Sequence, residues 1–171
     1  FYYIIEFIKN KKIKKLFYAS SSSVYGDHKT YPLNENTFLK EKNIYSLTKR
    51  LNEMISYIYS KIFNLQIIGL RFFTVFGEWG RPDMLIFKYL KKNIENKKFY
   101  LNANGKHYRD FTYIDDVVKI LIKLNKVKFK YKHEIFNICS NKPQKIISVI
   151  NKINKIKKNF KYFPSKSKNL R

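Results

Sequence analysis

The longest periodic pattern in the chain runs from Ile44 to Phe63. There Ile44, Leu47, Leu51, Met54, Ile55, Ile58 and Ile62 fall at helical spacing. This predicts an amphipathic helix with that stripe against a core and Tyr45 and Lys49 to its side, facing a cleft. Shorter patterns flank it. Residues 1–12 read as the end of a helix with Ile4, Ile5 and Ile8 on one side. Leu16 to Ser20 reads as a buried strand, and residues 21–43 as a polar loop. Gln66 to Phe72 is continuously apolar apart from its ends and Arg71, as expected of a strand covered on both faces. Beyond a loop at Gly77–Gly80, helices are predicted over 84–94, 113–124 and 144–157, and strands over 99–101 and 134–139. Asn102-Ala103-Asn104-Gly105 marks a turn, and Thr112-x-x-Asp115 reads as a capping box for the second of these helices. Alternating strands and helices indicate an α/β fold, with a parallel sheet first and a smaller region interleaved after about residue 74.

Charge changes this picture less than its size suggests. The chain carries a formal net charge of +24, which invites a polyanion-binding reading. Yet only five of the 36 basic residues are arginine, and the lysines are spread along the chain. Lys, Asn, Ile, Phe and Tyr share AT-rich codons, so nucleotide bias accounts for much of the excess. A basic module that binds a polyanion without catalysis stays open beside an enzyme. Cys139 is the single cysteine, which excludes an internal disulfide framework, suits a reducing cytoplasm and reads as a buried strand residue. No apolar run approaches 18 residues, so no membrane-crossing helix is expected. His28, His107 and His133 are too scattered for a metal site, and Asp110, Asp115 and Asp116 read as capping and hydrogen-bonding groups.

The chemistry-bearing residues follow the first strand. Ser20-Ser21-Ser22-Ser23-Val24-Tyr25-Gly26 delivers hydroxyls to the strand's C-terminal end. Tyr45 and Lys49 then stand four residues apart on one helix face. An ammonium beside a phenol favours the phenolate. A serine hydroxyl can hydrogen-bond the same substrate oxygen. Together these groups suit removal of a proton from an alcohol while a hydride leaves its carbon for a nicotinamide.

In order and spacing, Ser21, Tyr45 and Lys49 resemble the Ser/Thr, Tyr and Lys of the extended short-chain dehydrogenase/reductase superfamily, which holds the NAD-dependent epimerases and dehydratases of nucleotide sugars. Three further stretches tighten the resemblance toward the UDP-glucuronate 4-epimerases: Leu70–Gly77, Trp79-Gly80-Arg81-Pro82-Asp83-Met84, and Arg109–Asp116. It extends over about residues 1–150. Phe76 stands where that family usually has Tyr, and Glu78 where it often has Pro.

The resemblance implies a Rossmann-type parallel sheet, NAD as cofactor, a UDP-sugar as substrate and a homodimer, with neither nucleic acid, membrane nor metal involved. Residues 1–74 would be the later part of the NAD-binding domain, with returns further along, and residues 75–171 mainly the sugar-binding region. Ser21, Tyr45 and Lys49 would be catalytic and, with Phe73, would face the cofactor. Ser22, Ser23, Thr74 and Arg81 would meet the sugar, and Arg109 the nucleotide diphosphate. Dehydratases and decarboxylases of the superfamily carry carboxyl groups beside the catalytic Ser/Thr. Ser22 and Ser23 stand there instead, which argues against dehydration and leaves room for a uronate carboxylate. A 4-epimerase of a neutral UDP-hexose or N-acetylhexosamine is the nearest alternative. The chain has no Gly-x-Gly-x-x-Gly or Gly-x-x-Gly-x-x-Gly. It is therefore expected to be a piece of a longer protein, truncated at both ends and without the pyrophosphate-binding turn.

Overall fold

A computed structural model describes residues 1–28, 31–156 and 160–164. The chain divides into two compact units: Phe1–Phe73 with Lys119–Ile138, and Thr74–Val118 with Cys139–Arg171. In chain order the elements are α1 (Tyr2–Asn10), β1 (Lys15–Ser21), a 3₁₀ turn (Ser22–Tyr25), α2 (Ile44–Phe63), β2 (Gln66–Phe72), β3 (Thr74–Phe76), α3 (Leu85–Ile94), β4 (Tyr100–Leu101), a second 3₁₀ turn (Asn102–Gly105), β5 (Tyr108–Tyr113), α4 (Ile114–Lys126), β6 (His133–Ile138), β7 (Pro143–Lys145), α5 (Ile146–Ile156) and β8 (Phe163–Pro164).

Unit 1 is built on a parallel sheet in the order β1-β2-β6, as the alternating strands and helices predicted, and it agrees with the Rossmann-type sheet that the resemblance implied. Its register aligns Ser20 with Arg71 and Arg71 with Asn137, so one polar row crosses the sheet just before its carboxyl edge. Ile5, Tyr18, Leu65 and Ile67 form a buried cluster, with Leu16, Ile55 and Tyr59 packed against it. Burying each such side chain contributes about 1.5–3 kcal/mol. Gly69 on β2 is required by close approach: a Cβ there would lie 2.5 Å from the Tyr18 hydroxyl.

Unit 2 contains β5 paired parallel with β3 and antiparallel with β7. Its core is Tyr89, Phe99, Leu101, Ile146 and Ile150, with Leu85, Phe111, Ile147 and Ile153 against it.

The structure corrects several expectations. The α2 stripe does not face the core: Ile44, Leu47, Leu51, Met54, Ile58 and Ile62 are 45–80% exposed, and only Ile55 packs inward. The buried face of α2 is instead Ser46, Glu53, Ser56 and Ser60. Small serines let the helix lie close on the sheet, and Glu53 finds a charge partner there. In α1, Ile5 and Ile8 are buried but Ile4 faces outward. Thr112 does not cap a helix. It lies within β5, where its hydroxyl donates to Asp110, and α4 begins after Tyr113. β3, β5 and β7, absent from the sequence reading, are short or interrupted by charged residues. Cys139 is half-buried just past β6, not within the strand. The last helix is observed as Ile146–Ile156, and the expected end at Lys157 lies outside the described residues.

Candidate active site

β1 carries its chain to the carboxyl edge of the sheet and turns sharply there. The Ser21 backbone is extended, and its Oγ accepts hydrogen bonds from the Ser23 N–H (3.2 Å) and the Ser23 hydroxyl (2.9 Å). A hydroxyl accepting twice still has its own O–H to donate. Val24 and Tyr25 are fully buried and anchor the turn. Gly26 ends it with φ 65°, and a Cβ there would lie 1.9 Å from the Lys40 carbonyl, so only glycine fits.

α2 begins on a capping box that the sequence reading missed. The Asn43 side chain accepts from the Ser46 N–H (2.8 Å), and Ser46 Oγ accepts from the Asn43 N–H (3.2 Å). This cap fixes the first helical turn, from which the half-exposed Tyr45 projects. One turn on, Lys49 Nζ donates to the Ala19 carbonyl of β1 at 3.0 Å and lies 5.7 Å from the centre of the Tyr45 ring. Thus the structure gathers Ser21, Tyr45 and Lys49 in one unit: the serine at a strand end, the phenol at a helix start, and the ammonium tied to both elements. Ser22 and Ser23 lie on the same turn, with no carboxylate between Ser20 and Gly26.

Beneath this edge lies a buried polar network centred on Arg71 and Glu53. Arg71 is 2% exposed and Glu53 1%. Arg71 Nε and Nη2 donate to the two Glu53 oxygens at 2.8 Å each. Ser20 Oγ donates to Glu53 Oε1 at 2.6 Å. Arg71 Nη1 donates to the Tyr25 hydroxyl (2.9 Å) and the Glu35 carbonyl (3.2 Å), and Tyr25 donates on to Asn137 Oδ1 (2.7 Å). Burial alone pushes the Glu53 carboxyl up. The Arg71 fork, with Ser20 and Arg50, outweighs this and holds it below the usual carboxylate range. Burial also pushes the Tyr25 phenol up, so it stays a neutral donor. A legible signal for Glu53 was its place four residues after Lys49 in a chain with few carboxylates.

Phe73 follows β2 directly. Its N–H donates to the Ile138 carbonyl (3.1 Å), and its ring centre lies 6.4 Å from that of Tyr25. In unit 2, Thr74 and Arg81 share the lining of a small cavity with Met84 and Phe111. Arg81 pairs with Asp83, both largely exposed, with Nε–Oδ1 at 3.0 Å. Arg109, on β5, donates to the Tyr108 carbonyl at 2.9 Å and does not line that cavity. Asp110 holds the turn before β7, accepting from the Ser140 N–H (2.7 Å), the Ser140 hydroxyl (3.0 Å) and the Lys142 N–H (2.9 Å).

The donor set of unit 1 fits one end of a dinucleotide. A phenol, an ammonium with N–H groups beyond the one given to Ala19, and the Phe73 ring at the carboxyl edge of a parallel sheet suit a ribose diol and a nicotinamide ring. A pyrophosphate cradle needs a glycine-rich turn, which this chain does not carry. Among the described residues there is no group of three or more His, Cys, Asp or Glu able to hold a metal ion. Nor is any helix long and apolar enough to cross a membrane.

Comparison with known proteins agrees with this fold. Residues 1–139 match the NAD dependent epimerase/dehydratase family, and the chain belongs to that family, whose members use NAD. An uncharacterized protein of Methanocaldococcus jannaschii is 43% identical over 148 residues, covering 86% of this chain and 45% of that protein. The UDP-glucuronate 4-epimerase 4 of Arabidopsis thaliana is 43% identical over 108 residues, covering 61% of this chain and 25% of that enzyme. The crystal structure of UDP-glucuronic acid 4-epimerase from Bacillus cereus in complex with NAD superposes with a TM-score of 0.87 at 31% identity. That match covers 94% of this chain and 52% of that one. The chain therefore spans less than half the length of these curated relatives and about half of the solved enzyme.

Proposed function

We propose that the whole protein carrying this chain is an NAD-dependent 4-epimerase of a UDP-sugar, converting UDP-glucuronate to UDP-galacturonate. The observation that carries this reading is the Lys49 ammonium, held by the Ala19 carbonyl beside the Tyr45 ring, with the Ser21 hydroxyl at the end of the same strand. Tyr45, as phenolate, takes the proton from the sugar 4-OH. Ser21 donates to the 4-oxygen and keeps it oriented. Lys49 places its positive charge beside the Tyr45 ring and has N–H groups left for a ribose hydroxyl. NAD, when bound, supplies a carrier that takes a hydride from C4 and gives it back. The 4-keto sugar turns in the site so that C4 takes the hydride back on its opposite face, and Tyr45 returns the proton to the 4-oxygen, now of inverted configuration. The serine turn offers neither the acid nor the base that elimination of water needs.

Identity with UDP-glucuronate 4-epimerases supports the uronate. On this reading Ser22, Ser23, Thr74 and Arg81 receive the sugar carboxylate, Arg109 the diphosphate, and Phe73 the nicotinamide. The Arg81–Asp83 pair favours a second reading, a neutral UDP-hexose, because Arg81 already has a carboxylate partner. A homodimer is the assembly the resemblance implies, and the outward apolar stripe of α2 supports a second copy as its partner. The single cysteine supports a reducing, cytoplasmic setting.

Tyr45→Phe in a whole enzyme carrying this chain should lower kcat by about 10²–10⁴, as for loss of a general base. UDP-glucuronate and UDP-glucose, assayed side by side, decide the sugar. An active Tyr45→Phe enzyme overturns the acid–base assignment, and a wild type that prefers UDP-glucose overturns the uronate. With no glycine-rich turn in its sequence, the 171-residue chain alone should neither turn over nor bind NAD at micromolar concentration. Calorimetry tests this, and a stoichiometric NAD complex would contradict it.

A further inference from the structure

We propose that Glu53 and Arg71 are positioning residues of this site: their buried pair sets the spacing between Ser21 on β1 and Tyr45 and Lys49 on α2. This rests on the reading of Ser21, Tyr45 and Lys49 as the acid–base residues. Three elements meet at the pair. Ser20, immediately before Ser21, gives its hydroxyl to Glu53 at 2.6 Å. Glu53 lies one helical turn beyond Lys49, so the same stretch of α2 is tied to the same stretch of β1 twice, by Glu53–Ser20 and by Lys49–Ala19. Arg71, beside Ser20 in the β1–β2 register, fills both Glu53 oxygens and reaches Tyr25, which anchors the serine turn. Asn137, beside Arg71 on β6, closes the row by accepting from Tyr25.

Stability is a poor reason for such a pair. Apolar residues of similar volume often replace a buried ion pair with no loss of stability. What an apolar pair cannot do is fix distances among a strand, a helix and a turn at once. The planar guanidinium can, because its N–H groups leave in set directions toward the carboxylate and the phenol. An arginine at this position, one of only five among the 36 basic residues, follows from that geometry.

The test uses the 171-residue chain, by residue-resolved amide exchange and nuclear Overhauser contacts. Two reporters follow the site: exchange at Gly26 and Lys40, whose N–H groups bind Ser23 and Val24, and the contact between the Lys49 side chain and Ala19. The amides of Ile67–Leu70 follow the sheet. In Glu53→Leu/Arg71→Met both site reporters should fail, with exchange at Gly26 and Lys40 faster by tenfold or more and the Ile67–Leu70 amides unchanged. Two milder variants each cut one arm, so the test survives if the double variant does not fold. Ser20→Ala should weaken the Lys49–Ala19 contact, and Tyr25→Phe, which loses its hydrogen bonds with Arg71 and Asn137, should speed exchange at Gly26 and Lys40 about fivefold or more. The proposal is overturned if a folded double variant keeps both reporters. It is equally overturned if neither mild variant moves its own reporter, or if the sheet amides quicken in step, which marks a merely structural role. No arm depends on turnover, so failure here is distinct from failure of the catalytic reading, which an active Tyr45→Phe enzyme reveals.

Discussion

Each unit buries one carboxylate against polar partners, and the two are satisfied in opposite ways. Glu53 in unit 1 is answered by a charge: the Arg71 fork meets both oxygens, and Ser20 adds a hydroxyl. Asp110 in unit 2 is answered by dipoles: two backbone N–H groups and the hydroxyls of Ser140 and Thr112. All the partners of Asp110 lie on β5 or the turn before β7, so it pins that one turn to the strand beside it. The partners of Glu53 lie on β1, β2 and α2, so it fixes distances between elements. A buried carboxylate held by neighbouring N–H groups makes a loop; one held by an arginine from another strand makes a frame. The frame lies under the residues that carry the proposed chemistry.

Removing one member of the charged pair should break the comparison most. Glu53→Ala leaves the Arg71 guanidinium buried without its carboxylate, an arrangement worth about 3–5 kcal/mol of destabilisation. Urea unfolding followed at unit 1 amides measures it. A loss under about 1 kcal/mol would mean that water or another group readily replaces Glu53.

Acid should probe the same group more gently. The unfolded value of a glutamate lies near 4.3. Glu53 is held below it when folded, so the unfolded chain takes up the proton first as pH falls. Its contribution to stability is therefore full at neutral pH and is lost as pH drops through the carboxylate range. Burial also depresses His133 in unit 1 and His107 in unit 2, so both units weaken somewhat below about pH 6.5. In the carboxylate range Glu53 adds the buried contribution to those of the less buried Glu6 in unit 1 and Glu78, Asp83 and Glu95 in unit 2, which their partners also hold low. Residue-resolved unfolding should find the Glu53 step in unit 1, and it should shrink in Glu53→Leu/Arg71→Met. A step of equal size in that variant would assign it to another carboxylate.

Much of this was legible beforehand, and the failures share a cause. Ser21, Tyr45 and Lys49 stood out in the sequence because the proposed chemistry needs particular residue types at fixed spacing, and the structure places all three in unit 1. The parallel strands, expected at Leu16–Ser20 and Gln66–Phe72 and observed at Lys15–Ser21 and Gln66–Phe72, were readable from their short apolar runs. The orientation of α2 was not: periodicity finds an apolar face but does not say what covers it. Here the sheet takes the face bearing Ser46, Glu53, Ser56 and Ser60, because close approach and one ion pair outweigh the outward leucines and isoleucines. Glu53 was missed because a carboxylate on a helix is ordinarily solvated. Its spacing from Lys49 was a signal, but its partners emerged with the register that sets Ser20 beside Arg71. β5 escaped notice because Arg109 and Asp110 interrupt its pattern, and the Asp110 partners lie thirty residues on.

Asp110→Asn sharpens the contrast from the other side. It keeps the shape but presents an amide N–H₂ where one oxygen accepted, so one donor at the turn before β7 loses its partner. An unsatisfied buried group of this kind costs about 1–3 kcal/mol. The damage should stay near the site: amides at Ser140 and Lys142 should exchange faster while those of Leu101 and Ile150 follow only the global change. A loss matching that of Glu53→Ala, spread through all of unit 2, would make Asp110 a frame as well.

The smallest effect is expected at Thr112. Its hydroxyl is the most distant of the four donors to Asp110, at 3.3 Å, against 2.7–3.0 Å for the others. Thr112→Val keeps the β-branched shape that suits a strand and removes only this donor. Three shorter hydrogen bonds remain, so the carboxylate is not orphaned, and the loss should be about 0.5–1 kcal/mol, at the low end for a single hydrogen bond. Ser20→Ala in unit 1 also removes one hydroxyl, but from a shorter bond that joins two elements. The same denaturation experiment on both variants should therefore rank Ser20→Ala above Thr112→Val. Equal losses would show that a donor to Asp110 matters as much as a donor to Glu53, and the distinction between a pinned turn and a held frame would no longer stand.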